Sequence, residues 1–473
     1  MEKKNVTNTA KIALLLFNIG SFALAWVLYY NKRTFDTCLW IGGCITILLY
    51  SILYNSLCQV YKAFRIASFQ ITETLFSQLL CFGIADCIFF VECCLVYNRY
   101  TSIFPMLAAL FCQCLGSAFI IMYTKQYFIK KIAPKTTLFI YGDKIDEIEI
   151  TSFKQRILQK YEHLFQIKNM LSESQSHMEL FQAIDQHQVI LLYEVSQDNR
   201  NLLMQYAIQA RKSIYITPSL SDILLQGCST KHLLDTPLVK YDYAYERRSG
   251  DFLKRVTDIV ASLAGLVITL PIMLCAALAI KLEDHGPVFF KQERCTKDGK
   301  VFEIVKFRSM IVDAEKNGFV PCVGQDNRIT HVGRFLRKTR IDELPQLINI
   351  LKGDMSLVGP RPERVEHVQK YTQDMPEFAY RLRVKGGLTG YAQIFGKYNT
   401  SPYDKLRLDL MYIENRSIVL DMKLIMLTLK IIFTPESTEG FSKEKSQELQ
   451  REFEKQQLFH RWENNTRGEK REI

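Results

Sequence analysis

Residues 254–291 read KRVTDIVASLAGLVITLPIMLCAALAIKLEDHGPVFFK, and the path of this run determines on which side of a membrane the rest of the chain lies. Ile259 to Leu282 is apolar and long enough to cross a bilayer, which takes about 20 helical residues. Basic residues flank it on both sides: Arg247, Arg248, Lys254 and Arg255 before, Lys281, Lys291, Arg294 and Lys297 after. Because Lys and Arg are retained on the cytosolic side, a single crossing would strand one of these flanks outside. Pro271, near the middle, lacks a donor N–H, clashes with the preceding turn and favours a sharp bend. A helix over about 254–282 that enters, bends at Pro271 and returns to the same face reconciles the apolar run, the charges and the proline. A fifth span, the simpler alternative, would put everything beyond residue 283 outside the cell.

Toward the N-terminus, four more stretches have the length and apolarity of membrane spans: about residues 10–30, 38–58, 73–97 and 103–124. Lys3, Lys4 and Lys11 precede the first, Lys62 and Arg65 follow the second, and Lys125, Lys130, Lys131 and Lys135 follow the fourth. Both ends of this four-helix anchor, residues 1–130, are therefore expected in the cytosol. Lys32, Arg33 and Arg99, in the outer loops, run against the pattern. Asp86 and Glu92 fall inside the third span, where a carboxylate is costly and is a functional suspect by default. The few polar groups in the four spans argue against a transporter.

Residues 135–242 alternate β-rich runs (Thr137 to Gly142, Val189 to Val195, Ser213 to Pro218) with helical stretches such as Asn199 to Lys212, the pattern of a small Rossmann-like α/β domain. Its first strand leads into Tyr141-Gly142-Asp143-Lys144, which lacks the glycine-rich phosphate turn of a dinucleotide site, so no cofactor is expected there. The 13 cysteines show no paired metal-ligand spacing, and nine lie in apolar surroundings before residue 115; they read as reduced, small apolar residues. The net charge of +11 suits work beside anionic headgroups or phosphorylated substrates, although nucleic acid would attract the same charge.

Beyond the re-entrant run, Thr339 to Gly353 (TRIDELPQLINILKG) reads as a helix, with Leu344, Leu347, Ile348 and Leu351 on one face, Pro345 in its first turn and Gly353 ending it. Asp342 and Glu343 would then sit at the positive end of the helix dipole, able to dock phosphate through a bridging metal. Taken alone, Asp342 reads as an ordinary helix cap. Its company changes the balance: Lys306 and Arg308 in Lys-Phe-Arg-Ser-Met, Arg337 five residues before Asp342, and Arg361 between two prolines. In Gly359-Pro360-Arg361-Pro362 the stiff backbone presents a planar fork to phosphate oxygens at little entropic cost. Asp409, in Leu-Asp-Leu-Met-Tyr, is a weaker candidate that a helix-surface aspartate explains as well. Residues 418–433 could be an interfacial amphipathic helix or an ordinary core helix, and 436–473 read as a charged helix and tail.

The segments Gly286 to Arg294, Phe302 to Met310, Asp342 to Leu347, Lys352 to Pro362 and Gly387 to Gln393, in that order, resemble the bacterial sugar transferase family. Its members are polyprenyl-phosphate phosphoglycosyl transferases that start exopolysaccharide, capsule or O-antigen assembly. The anchor and α/β domain resemble the long members. One departure is Arg294-Cys295-Thr296, where relatives carry Arg-x-Gly. The resemblance implies a mostly helical, membrane-embedded catalytic domain over 248–435, on the cytosolic side of the bacterial inner membrane. Its substrates would be a UDP-sugar, with a hexose expected, and undecaprenyl phosphate. Asp342 would attack the β-phosphate and expel UMP, Glu343 would help hold Mg²⁺ beside Asp342, and Lys306, Arg308, Arg337 and Arg361 would grip phosphate and nucleotide. A homodimer and no nucleic-acid partner are expected. The competing reading is a membrane-anchored polyanion-binding module. It would need basic residues interleaved with exposed aromatics, whereas here they stand beside acids and prolines.

Overall fold

A computed structural model describes residues 2–30, 39–66, 71–96, 100–131, 133–162, 164–241, 250–312, 314, 326–396 and 400–432. Arg247, Arg248, Lys32, Arg33, Arg99 and the expected tail over 436–473 lie outside the described residues. The chain divides into two compact units, residues 1–218 and 219–473.

The first unit opens with α1 (Glu2–Ala25), continued by a π-helical turn at Trp26–Tyr30, then α2 (Leu39–Val60), α3 (Ile71–Val96) and α4 (Phe104–Lys131). All four are long and apolar enough to cross a membrane. Their interior is more polar than the sequence suggests. Tyr50 Oη donates to Asp86 Oδ1 at 2.8 Å, and Gln113 Nε2 donates to Tyr50 Oη at 3.0 Å. Asn18 Nδ2 donates to Tyr54 Oη (2.8 Å) and Ser117 Oγ (3.0 Å), and Tyr54 Oη to Gln78 Oε1 (2.6 Å). One network thus ties all four helices, since a polar group inside an apolar bundle must find its partner there.

After the helices comes a parallel sheet with strand order β2-β1-β3-β4. It is built from β1 (Lys135–Tyr141), α5 (Glu147–Tyr161), β2 (Phe165–Ser172), α6 (His177–Gln186), β3 (Val189–Tyr193), α7 (Gln197–Gln209) and β4 (Ser213–Ile216). Alternation along β1 sorts its side chains. Leu138 and Ile140 pack with Leu180 and Ile184 of α6 and Leu203 of α7, whereas Phe139 packs with Ile150 and Phe153 of α5 on the other face. Strand β2, half of whose residues are polar and none buried, is an edge strand that the sequence pattern did not reveal.

The second unit begins with α8 (Leu220–Gln226) and the hairpin β5 (Ser229–Leu233) to β6 (Thr236–Lys240). Ile223 of α8 is buried among Val358, Phe378, Leu406 and Leu410, so residues 219–241 belong with this unit, although the α/β pattern in the sequence runs on to 242. Then follow α9 (Gly250–Asp284), β7 (Phe289–Cys295), β8 (Val301–Phe307), α10 (His331–Thr339), α11 (Gln346–Lys352), β9 (Ser356–Val358), α12 (Val365–Asp374), β10 (Gly387–Thr389), α13 (Tyr391–Phe395), α14 (Pro402–Glu414) and α15 (Ile418–Ile432). Strands β7 and β8 form an antiparallel hairpin, β9 and β10 a parallel pair. The turn between β7 and β8 is carried by Asp298 and Gly299, both at positive φ. The departure at Cys295-Thr296 is absorbed by packing: Cys295 is buried, and Thr296 Oγ1 donates to Asp354 O and accepts from Gly386 N.

Helix α9, the run that opens the sequence argument, is the fifth segment long and apolar enough to span. Pro271, where the sequence leads one to expect a bend, lies inside it, and the helix runs through the proline for 35 residues, about 50 Å at 1.5 Å per residue. Both ends are fixed to the second unit. Near the start, Lys254 Nζ donates to Val358 O (3.1 Å) and Asp421 Oδ2 (2.5 Å), Arg255 donates to Ile350 O and Leu351 O, and Asp258 accepts from Leu357 N. In the middle, Leu266 packs with Phe302 and Leu347, and Met273 and Ile280 pack with Phe307 and Leu336. At the end, Glu283 Oε1 accepts from His331 N (2.8 Å) at the start of α10, and Arg308 donates to Asp284. Its other side, with Val260, Val267, Ile268, Leu274, Leu278 and Leu282, is exposed.

Candidate active site

The acid pair does not stand at the start of one long helix. Arg340 takes a left-handed conformation (φ 58°) and ends α10; Ile341–Glu343 form a single 3₁₀ turn, and α11 begins only after Pro345. Asp342 therefore does not cap α11, and the dipole of that seven-residue helix is not what holds the carboxylates. The buried side of α11 is Leu347 and Ile350, with Ile348 only half-buried. Asn349, almost wholly buried, docks the helix on β8: its Oδ1 accepts from Val305 N at 3.0 Å and its Nδ2 donates to Glu303 O at 2.7 Å. That side chain pairs with the strand as another strand would, and it holds Lys306, the next residue along β8, facing the acid pair.

Lys306 Nζ lies 3.0 Å from Glu343 Oε1, and Arg361 Nη2 lies 2.7 Å from the same oxygen. Both cations use Oε1, so Glu343 Oε2 has no hydrogen bond among the described residues. Asp342 Oδ1 is buried without a hydrogen-bond partner. The guanidinium of Arg361 keeps 40% of its side chain exposed, so it can meet a ligand while bound to Glu343. Arg337 and Arg340 stand close enough to Asp342 to draw its carboxyl toward ionisation. Arg340 was not singled out in sequence, where it is one basic residue in a basic run.

Burial and the neighbouring Glu343 push Asp342 up to about 6, against the pull of Lys306, Arg337 and Arg340. Burial would raise Glu343 too, but Arg361, Lys306 and Arg340 outweigh it and hold that carboxyl well below the usual range. Desolvation lowers Lys306, partly offset by Glu343. Of the residues expected here, Asp342, Glu343, Lys306, Arg337 and Arg361 converge. Arg308 points its guanidinium at Asp284 instead, and Asp409 is no surface residue but a buried partner of Arg381.

Two buried carboxylates under a set of cations suit the handling of phosphate esters, and comparison with known proteins bears on this. The family model described as bacterial sugar transferase matches residues 249–435. The UDP-N-acetylgalactosamine-undecaprenyl-phosphate N-acetylgalactosaminephosphotransferase of Aeromonas hydrophila is 40% identical over 210 residues, covering 42% of this chain and 50% of that protein. The UDP-glucose:undecaprenyl-phosphate glucose-1-phosphate transferase of Escherichia coli (strain K12) is 40% identical over 210 residues, 43% of this chain and 44% of the relative. The exopolysaccharide production protein PSS of Rhizobium leguminosarum bv. phaseoli is 42% identical over 188 residues, 37% of this chain and 93% of the relative. The chain belongs to the bacterial sugar transferase family. The match spans about half the length of the first two relatives.

In this member of the family the donor set fits the expected Mg²⁺. Asp342 Oδ1 and Glu343 Oε2, on consecutive residues, make no hydrogen bond among the described residues, and there no group of three or more His, Cys, Asp or Glu offers a fuller protein cage. Magnesium is held through one or two carboxylates, with substrate phosphate and water completing its shell.

Proposed function

We propose that this chain transfers sugar 1-phosphate from a UDP-hexose to undecaprenyl phosphate, releasing UMP. The observation that carries the reading is Asp342 Oδ1, a buried carboxylate oxygen with no partner amid Lys306, Arg337, Arg340 and Arg361. The Asp342 carboxylate attacks the β-phosphorus of the donor; the bond to the bridging oxygen breaks and UMP leaves with the electron pair. The phosphate oxygen of the lipid then attacks the same phosphorus and frees the Asp342 carboxylate. Two displacements at one site let a water-soluble donor and a bilayer-bound acceptor use it in turn. Arg361 grips the phosphate oxygens bidentately, and Lys306 fixes Glu343 so that Oε2 faces the donor. Mg²⁺, when bound at Glu343 beside Asp342, offsets phosphate charge.

The same reading places the second unit on the cytosolic face of the bacterial inner membrane, with α9 re-entering rather than crossing. What supports it is that Lys254 and Arg255 at one end of α9, and Glu283 and Asp284 at the other, bind the same compact unit. The exposed apolar side between them needs a lipid environment.

The test is UMP release by the full chain in lipid nanodiscs, with Mg²⁺ and UDP-glucose, UDP-galactose or UDP-N-acetylgalactosamine. Release without acceptor, at one equivalent and with labelled sugar phosphate bound to protein, is the expected outcome. Asp342→Asn abolishes both. Release by that variant at the normal rate would sink the covalent step.

A further inference from the structure

Pro360 and Pro362 have no N–H to donate, so the backbone that carries Arg361 is secured from the carbonyl side. Four consecutive carbonyls are taken. Pro360 O accepts from Gly387 N at 2.8 Å, Arg361 O from Arg381 Nη2 at 2.9 Å, Pro362 O from Arg294 Nη1 at 3.1 Å and Glu363 O from Cys295 N at 3.0 Å. Among the described residues, Arg381 is the side chain that binds the Arg361 carbonyl. Arg381 lies on the 3₁₀ segment Pro376–Arg383 and is 3% exposed. Its Nε and Nη2 both donate to Asp409 Oδ2, at 3.0 and 2.7 Å, and its guanidinium rests over the Phe378 ring at 4.9 Å. Asp409, on α14, is 1% exposed.

A buried ion pair is a poor source of stability, because desolvating two charges offsets most of their attraction. This one does something an apolar pair could not: the nitrogen that binds Asp409, Nη2, also binds the Arg361 carbonyl. We propose that Arg381 and Asp409 are positioning residues. Asp409 fixes the Arg381 guanidinium, Arg381 fixes the backbone of Arg361, and Arg361 is thereby aimed at Glu343 and at phosphate bound beside it. The proposal rests on the functional reading above, in which Arg361 grips the donor phosphate.

The experiment is a mutant cycle read by UMP release from the UDP-sugar that the wild-type chain cleaves, with unfolding midpoints measured alongside. Asp409→Asn alone leaves Arg381 without the carboxylate that takes two of its donors and can unfold the chain, so the main variant carries Arg381→Gln and Asp409→Asn together, which removes both charges of the pair and leaves Glu363, 3.8 Å from Arg381 Nη1, to His367, Lys405 and Arg294. It is expected to keep the wild-type midpoint and donor KM and to lose about a hundredfold in kcat, the scale of a misplacement of about 1 Å. In an Arg361→Ala background the same two substitutions are expected to cost nothing more. An undiminished kcat in the paired variant, or a loss that multiplies with that of Arg361→Ala, overturns the positioning role. A wild-type chain that releases no UMP from any UDP-sugar instead overturns the functional reading, and the positioning role with it.

Discussion

Asp342 and Glu343 are adjacent and almost equally buried, 8% and 9% exposed, yet the hydrogen-bonded cations Lys306 and Arg361 reach only Glu343. The pair is thereby split: Glu343 stays ionised at all working pH values, while Asp342 titrates at about 6. One carboxylate is a permanent charge, and in the proposed mechanism the other is the group whose proton decides reactivity.

A pH profile follows. In the metal-free chain the Asp342 carboxyl is expected to titrate at about 6, and because the proposed mechanism needs it ionised, Mg²⁺ bound beside it would carry the acid limb of single-turnover UMP release below that value, with a fall of about tenfold per unit under the limb. A carboxyl that titrates near 4 in the metal-free chain, as an unperturbed aspartate does, would show that Glu343 and burial do not act on Asp342 as described.

Lys306 supplies a second handle on the same limb. It pulls Asp342 toward ionisation and holds Glu343 Oε1. Lys306→Met should therefore move the acid limb to higher pH and reduce kcat about a hundredfold, the usual cost of losing one preorganised charge contact. A lowered rate with an unmoved limb would mean that Lys306 acts on the substrate alone.

Arg308 tests the difference between sequence and structure. Its motif neighbour Lys306 meets the acid pair, but Arg308, 7% exposed, binds Asp284 at the end of α9. Arg308→Gln is expected to destabilise the chain by about 2 kcal/mol, less than a fully buried pair would cost because Asp284 is partly exposed. Thermal unfolding should register it as a fall of several degrees with donor KM unchanged; a raised KM at a constant midpoint would return Arg308 to the phosphate site.

Much of the site was legible because charge and proline leave strong local marks. Lys306, Arg337, Arg361 and the acid pair could be named from Pro-Arg-Pro and the crowding of cations around Asp-Glu. Asn349 and Arg381 were not, and Asp409 was only a weak candidate, since Asn349 and Arg381 act on the backbone of residues 20 to 46 positions away, and such contacts have no sequence period. The single helix expected over 339–353 failed for a different reason. Its apolar residues fit a helical stripe, but Arg340 at positive φ and Pro345 break the backbone into turn and helix, and no periodicity reports φ. In the bundle, Asp86 stood out as a lone acid, whereas its partners Tyr50 and Gln113 are ordinary residues on two other helices.

The path of α9 can be decided by labelling. Its two ends bind one unit, through Lys254 to Val358 and Asp421 and through Glu283 to the start of α10. Cysteines placed at exposed Lys240, before the helix, and exposed Lys300, after it, in a chain whose native cysteines are replaced by serine, should react with an impermeant maleimide only when the cytosolic face is accessible. If α9 crossed, Lys300→Cys would be labelled in intact cells and Lys240→Cys would not. That outcome would also require the polar contacts at one end of the helix to break, because the partners of Lys254 and of Glu283 would then lie on opposite sides of about 30 Å of hydrocarbon. Equal protection of both cysteines in intact cells, and equal labelling in inverted vesicles, is the expected result.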